Sequence, residues 1–123
     1  MANCKTTEDD FREFCKFVAD AVEIFGLRDW SITFAHRNIP NRHAQTRYQA
    51  GRRVATITLA KVWDVTPTSC SLHDVAQHEV LHVCLADLYT LGTDRYTTER
   101  ALDDAEEAVV VRLQNAIRRL MEA

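Results

Sequence analysis

The segment Ser71-Leu-His-Asp-Val-Ala-Gln-His78-Glu79-Val80-Leu81-His82-Val-Cys84-Leu85-Ala-Asp-Leu88-Tyr-Thr-Leu91-Gly92 decides the reading of this chain. Ser71 followed three residues later by Asp74 has the form of a capping box, and Gly92 is a stop signal, so the spacing predicts a helix from Ser71 to Leu91. On such a helix His78 and His82 project from one face, about one turn apart. Two imidazoles so placed fit two corners of a tetrahedral Zn²⁺, and Glu79 between them is placed to act as a general base. The apolar residues Leu72, Val75, Val80, Leu81, Val83, Leu85 and Leu88 occupy more than one face. That pattern suits a helix buried against both a sheet and another helix, with a metal at the centre of the fold.

Upstream, Phe11, Phe14, Cys15, Val18, Ala21, Val22 and Phe25 recur at three- and four-residue steps between Thr7 and Gly26. With Thr7 as N-cap and Asp10 three residues on, they predict an amphipathic helix over 8–25. Trp30 to His36 and Val54 to Leu59 alternate large apolar with small polar side chains, as half-buried strands do. Gln45 to Gln49 is expected as a third, middle strand that turns through Ala50-Gly51-Arg52. A last helix is expected from Thr98 to Glu122, with Leu102, Val109, Val110, Leu113, Ile117 and Leu120 as its inward stripe. The fold class is therefore α+β, and residues 1–123 have the length of a single domain.

Composition narrows the function. No apolar run approaches the ~20 residues that span a bilayer, so a membrane partner is not expected. The four cysteines form no Cys-x-x-Cys pair, and the first ten residues have no apolar run of a signal peptide. A cytoplasmic protein with reduced thiols is the simplest expectation. Net charge is −3, yet no acidic residue lies between Asp29 and Asp64, where Arg37, Arg42, Arg47, Arg52, Arg53 and Lys61 cluster. So few aromatics stand among these arginines that a solvated sheet face is favoured over a nucleic-acid patch.

A catalytic zinc needs three protein ligands and an open position. A third histidine on the same segment is excluded, since Leu85 and Leu88 stand where the extended motif would put a glycine and that histidine. Glu106 falls on the expected inward stripe of the last helix, where an unpaired carboxylate would be costly and a metal would remove that cost. Glu107, about 100° round the helix, reads as solvated; it and Asp94 stay as alternatives. Tyr89, Arg95, Tyr96 and Arg100 are available as oxyanion donors, and none is assigned. His36, His43 and His73 read as structural or surface residues, and Cys84 as buried packing.

The His78-Glu79-Val80-Leu81-His82 segment, followed by a helix bearing Glu106-Glu107-Ala-Val-Val-Val-Arg-Leu113, resembles the small single-domain zincins. These are minimal gluzincin-like proteins, similar to phage-encoded metallopeptidase-like proteins and more distantly to the ImmA/IrrE and SprT-like groups. The resemblance implies an N-terminal helix, a small three-stranded sheet, the zinc helix and a C-terminal glutamate helix. It implies a zinc metalloendopeptidase, with His78, His82 and Glu106 holding Zn²⁺, Glu79 as base, and a peptide or protein as substrate; a monomer is expected. It further implies that an edge strand, placed at Val54 to Ala60, holds the substrate by strand addition. Val110 departs from the larger gluzincins, which carry an acid four residues after the ligand glutamate. A zinc-binding regulatory or nucleic-acid-associated module with little proteolysis is the alternative function.

Overall fold

The structure, a computed structural model, describes residues 3–122. Its element order is β1 (Cys4–Lys5), α1 (Glu8–Ile24), β2 (Ser31–Arg37), β3 (Ala44–Gln49), β4 (Val54–Ala60), β5 (Val62–Trp63), α2 (Ser69–Cys84), α3 (Ala86–Thr93) and α4 (Glu99–Glu122). One 3₁₀ turn, Ala50–Arg52, joins β3 to β4. This is the expected α+β arrangement, with β1 and β5 adding a short two-stranded ribbon beside the three-stranded sheet.

The N-terminal helix begins where its cap chemistry dictates. Thr7 Oγ1 accepts from the Asp10 amide at 3.1 Å and Asp10 Oδ2 accepts from the Thr7 amide at 2.8 Å, so two otherwise orphan donors are satisfied. At the other end Gly26 adopts φ +67, the left-handed conformation that closes a helix most cheaply in glycine. Phe14, Val18 and Ala21 are the buried face of this helix.

Strand order in the main sheet is β2-β4-β3, parallel between β2 and β4 and antiparallel between β4 and β3. The expectation that Val54–Ala60 is an edge strand is therefore corrected: it is the central strand, and β3 lies at an edge instead of in the middle. Composition explains the order. Ala55, Ile57, Leu59 and Ala60 are almost fully buried, whereas β3 carries Gln45, Arg47 and Gln49 on its outer face and tolerates an open side. In register, the inner face comprises Ile32, Phe34 and His36 of β2, Ala55, Ile57 and Leu59 of β4, and Ala44, Thr46 and Tyr48 of β3. The core, with Phe14, Leu27, Trp63, Leu72 and Val80, lies between the sheet and the α1–α2 layer.

Two expectations about the later helices are also corrected. The cap of α2 is Thr68 paired with Ser71, not Ser71 with Asp74, so the helix starts two residues earlier. Nor is it continuous to Leu91: it ends at Cys84, Leu85 breaks the phase, and α3 runs on past Gly92 to Thr93. The Ser69 hydroxyl bonds the Glu13 carboxylate and ties the new N-terminus to α1.

The last helix spans the expected residues but presents a different face inward. Ala105 and Ala116 are buried and Ala101, Ala108 and Val109 half-buried, while Val110, Leu113, Ile117 and Leu120 are exposed. The inward face is displaced from the expected one by roughly one residue's rotation, about 100°. Among the described residues no helix is long and apolar enough to cross a membrane, and all four cysteines are free.

Arg53 fastens the sheet to α3. Its backbone is left-handed at φ 55, its Nη1 donates to both carboxylate oxygens of Asp87 at 2.7 and 2.8 Å, and its guanidinium lies 5.3 Å from the Trp30 ring centroid. Because the side chain is partly solvated, Arg53→Ala is expected to cost about 1 kcal/mol in urea unfolding. Arg53→Gly should recover roughly half or more of that cost by relieving the left-handed backbone. Equal loss in the two variants would show that backbone conformation contributes nothing there.

Candidate metal centre

Among the described residues Glu79 is the one buried acidic side chain, at 6% exposure. It sits where α2 crosses the inner face of the sheet, and Thr46 of β3 meets it: the hydroxyl donates to Glu79 Oε1 at 2.8 Å. The same hydroxyl lies 3.3 Å from the Glu79 carbonyl oxygen. A buried carboxylate without a donor would be costly, so this contact is what lets Glu79 occupy a helix position that faces the core. Among the described residues Oε2 makes no hydrogen bond.

His78 and His82 stand on the neighbouring face of the same helix and are both exposed. Their rings are 4.9 Å apart, edge to face at 82°. Ligand atoms of His78, Glu79 and His82 all lie within 4.8 Å of one another, and no other such group forms among the described residues. Two donors on a tetrahedral zinc are roughly 3.4 Å apart, a separation the imidazoles reach by small rotations. The donor set thus fits a divalent cation of borderline softness. The sequence expectation that the histidines lie at the centre of the fold is corrected: both are at the surface, and only the carboxylate between them is buried.

The three residues open onto a cleft of about 1110 Å³ between α2, β3 and α3, whose lining includes Arg42, Thr46, Asp74, Tyr89 and Thr93. Glu106 is not part of this wall: it is exposed on α4, as is Glu107, and neither joins the histidine group. Asp94 is exposed at the end of α3, where its Oδ1 accepts from the Tyr96 amide at 2.9 Å. Of the candidate oxyanion donors only Tyr89 reaches the cleft, and it is 65% exposed.

Outside the histidine pair, the remaining side chains are accounted for by packing. His36 stacks on Phe11 with ring centroids 4.8 Å apart. Its Nε2 lies 2.7 Å from Thr6 Oγ1, and burial, reinforced by Lys61, holds its pKa below the usual histidine value. His43 stacks on Trp63 and lies 2.7 Å from Asp64 Oδ1; its bond lowers the Asp64 pKa. His73 is exposed and meets Phe17 edge-on. Cys84 is 2% exposed, and burial pushes its thiol up to about 11. In the basic block Arg37, Arg42, Arg47, Arg52 and Lys61 are exposed, Arg42 and Arg47 at the rim of the cleft, and Arg53 is held by Asp87.

Thr46 escaped the sequence reading. Its signal was a hydroxyl in the row Ala44, Thr46, Tyr48 that strand alternation turns toward the helices. Comparison with known protein families, curated proteins and solved structures finds no match.

Replacing Thr46 by valine keeps the shape and removes the donor. Thr46→Val should lower unfolding stability by about 1–2 kcal/mol, because the buried carboxylate is left unpartnered, and Thr46→Ser should recover most of it. Valine matching wild type in urea unfolding would mean that Glu79 does not depend on this contact.

Proposed function

We propose that this protein is a zinc-dependent metallopeptidase, with His78 and His82 as two of the metal ligands and Glu79 as general base; Glu106, expected as the third ligand, is not brought to the site by α4 as it is seated here. The observation that supports the reading most is the pairing of exposed and buried groups on α2. Two imidazoles face an open cleft, and the carboxylate between them is withdrawn and oriented by Thr46. A structural metal would be enclosed by its ligands; one whose ligands face a cleft can meet a substrate.

Zinc held there supplies Lewis acidity, acidifying a water and polarising a peptide carbonyl. The chain's own groups do the rest. With Oε1 of Glu79 engaged by Thr46, Oε2 is the atom that takes the proton from the attacking water and returns it to the leaving amine. His78 and His82 are fixed to one rigid helix whose opposite face, with Leu72, Ala76 and Val80, is buried in the core, so the water and the base keep their relative placement. β3 borders the cleft and pairs only with β4. Its free edge is therefore the strand that receives an extended peptide, in place of Val54–Ala60. Arg42, at the cleft wall, favours an acidic or C-terminal carboxylate group on that peptide.

Glu79→Gln separates binding from chemistry, because glutamine still accepts from Thr46 but takes no proton. The variant is expected to keep its zinc while cleavage of an unfolded-protein substrate falls about 100-fold or more. Undiminished cleavage in the zinc-loaded variant would overturn the role of Glu79.

A further inference from the structure

The helix α4 is seated by its smallest side chains and leaves its largest aliphatic ones in solvent. It rests on α3 and α1 with Ala105 and Ala116 buried, whereas Val110 is 48%, Leu113 41%, Ile117 57% and Leu120 69% exposed. Together with Glu106 these four recur at alternating steps of four and three residues, the 3.5-residue period of a seam between two helices. The seam lies about 90° round the helix from the buried alanines. Leu102 and Met121, both exposed, extend it at either end, and the six aliphatic side chains show roughly 600 Å² of each chain to solvent. A lone monomer seldom carries more, and a stable pair of proteins buries about 600–1,000 Å² on each side. The row with the charges that border it is large enough for one.

Charge identifies the occupant. The first half of α4 carries Glu99, Asp103, Asp104, Glu106 and Glu107 against Arg100 alone. The second half carries Arg112, Arg118 and Arg119 against Glu122. Such a helix complements a reversed copy of itself: a parallel pair would set like charges side by side, and an antiparallel pair sets each acidic half on a basic one. The seam has a register that does this. With Val110 opposite the partner's Leu113, Glu106 falls opposite the partner's Ile117, and both Glu106 and Glu107 come within two residues of the partner's Arg118. An anion in an apolar seam is costly unless it is paired, and this register brings it a cation.

We propose that the chain forms a two-fold dimer, in place of the monomer expected from its sequence, by antiparallel pairing of α4 along Glu106, Val110, Leu113, Ile117 and Leu120. The same patch serves both copies, so assembly closes at two. No residue of the seam lines the cleft. The pairing therefore needs no metal, and it stands or falls apart from the peptidase reading.

Sedimentation velocity over a concentration series, at low salt and with a chelator present, tests it. The expected result is a monomer of 14.1 kDa at high dilution and twice that mass above roughly 10 μM, with nothing larger. Because Ile117 is exposed, Ile117→Asp should keep the urea unfolding of the monomer and weaken the dimer tenfold or more. Arg118→Glu should weaken it severalfold, and Glu107→Arg added to that variant should restore it. A wild-type chain that stays monomeric at about a hundredfold higher concentration would overturn the dimer. A dimer indifferent to Ile117→Asp would place the contact on another face and overturn the seam. Failure of the charge exchange to restore what Arg118→Glu removes would overturn the antiparallel register.

Discussion

The hydrogen bond from Thr46 to Glu79 joins the edge strand to the middle of α2 and makes a buried carboxylate tolerable there. The arrangement of the site depends on it. Were Glu79 solvated, α2 would have to turn, and the face with Ala76, Val80 and Val83 would leave the core. Were β3 moved, the carboxylate would lose its donor and the cleft one of its walls. Because Glu79 is fixed in the core, its sequence neighbours one position before and three after emerge at the cleft, where a metal and a substrate could both reach them. The three residues thus divide their environments: imidazoles outward at the cleft, and the carboxylate inward with one oxygen engaged.

A second constraint comes from the edges of this small fold. With three strands in the main sheet, each outer strand exposes one edge, and the apolar run Val54–Ala60 takes the centre because it has the most to bury. β3 is left at the border of the cleft with its hydroxyl turned inward and its arginine outward. Arg53 then closes the hairpin onto α3 through Asp87, which sets the far wall that carries Tyr89 and Thr93. The basic block contributes one clamp, Arg53, two residues of the cleft lining, Arg42 and Arg47, and otherwise a solvated surface.

Much of this was legible in the residues. The first helix announces itself by Thr7, Asp10 and Gly26, each acting through the local backbone. The strands are written in alternation, although their order is not, since alternation identifies faces and not neighbours. The break at Leu85 carries no glycine or proline, so nothing local marks it. For α4, hydrophobicity pointed to Leu113 and Ile117 as the inward row, whereas Ala105 and Ala116 allow a closer approach to the body and are the buried pair. That difference of one residue's rotation also leaves Glu106 on the exposed face of α4.

The central claim is that His78 and His82 hold a metal with Glu79 beside them, and it is tested most directly by zinc content. Protein dialysed against zinc and then freed of excess is expected to retain one equivalent per chain, and His78→Ala or His82→Ala close to none, with each variant still unfolding cooperatively. Retention of one equivalent in a folded variant lacking either imidazole would contradict the account.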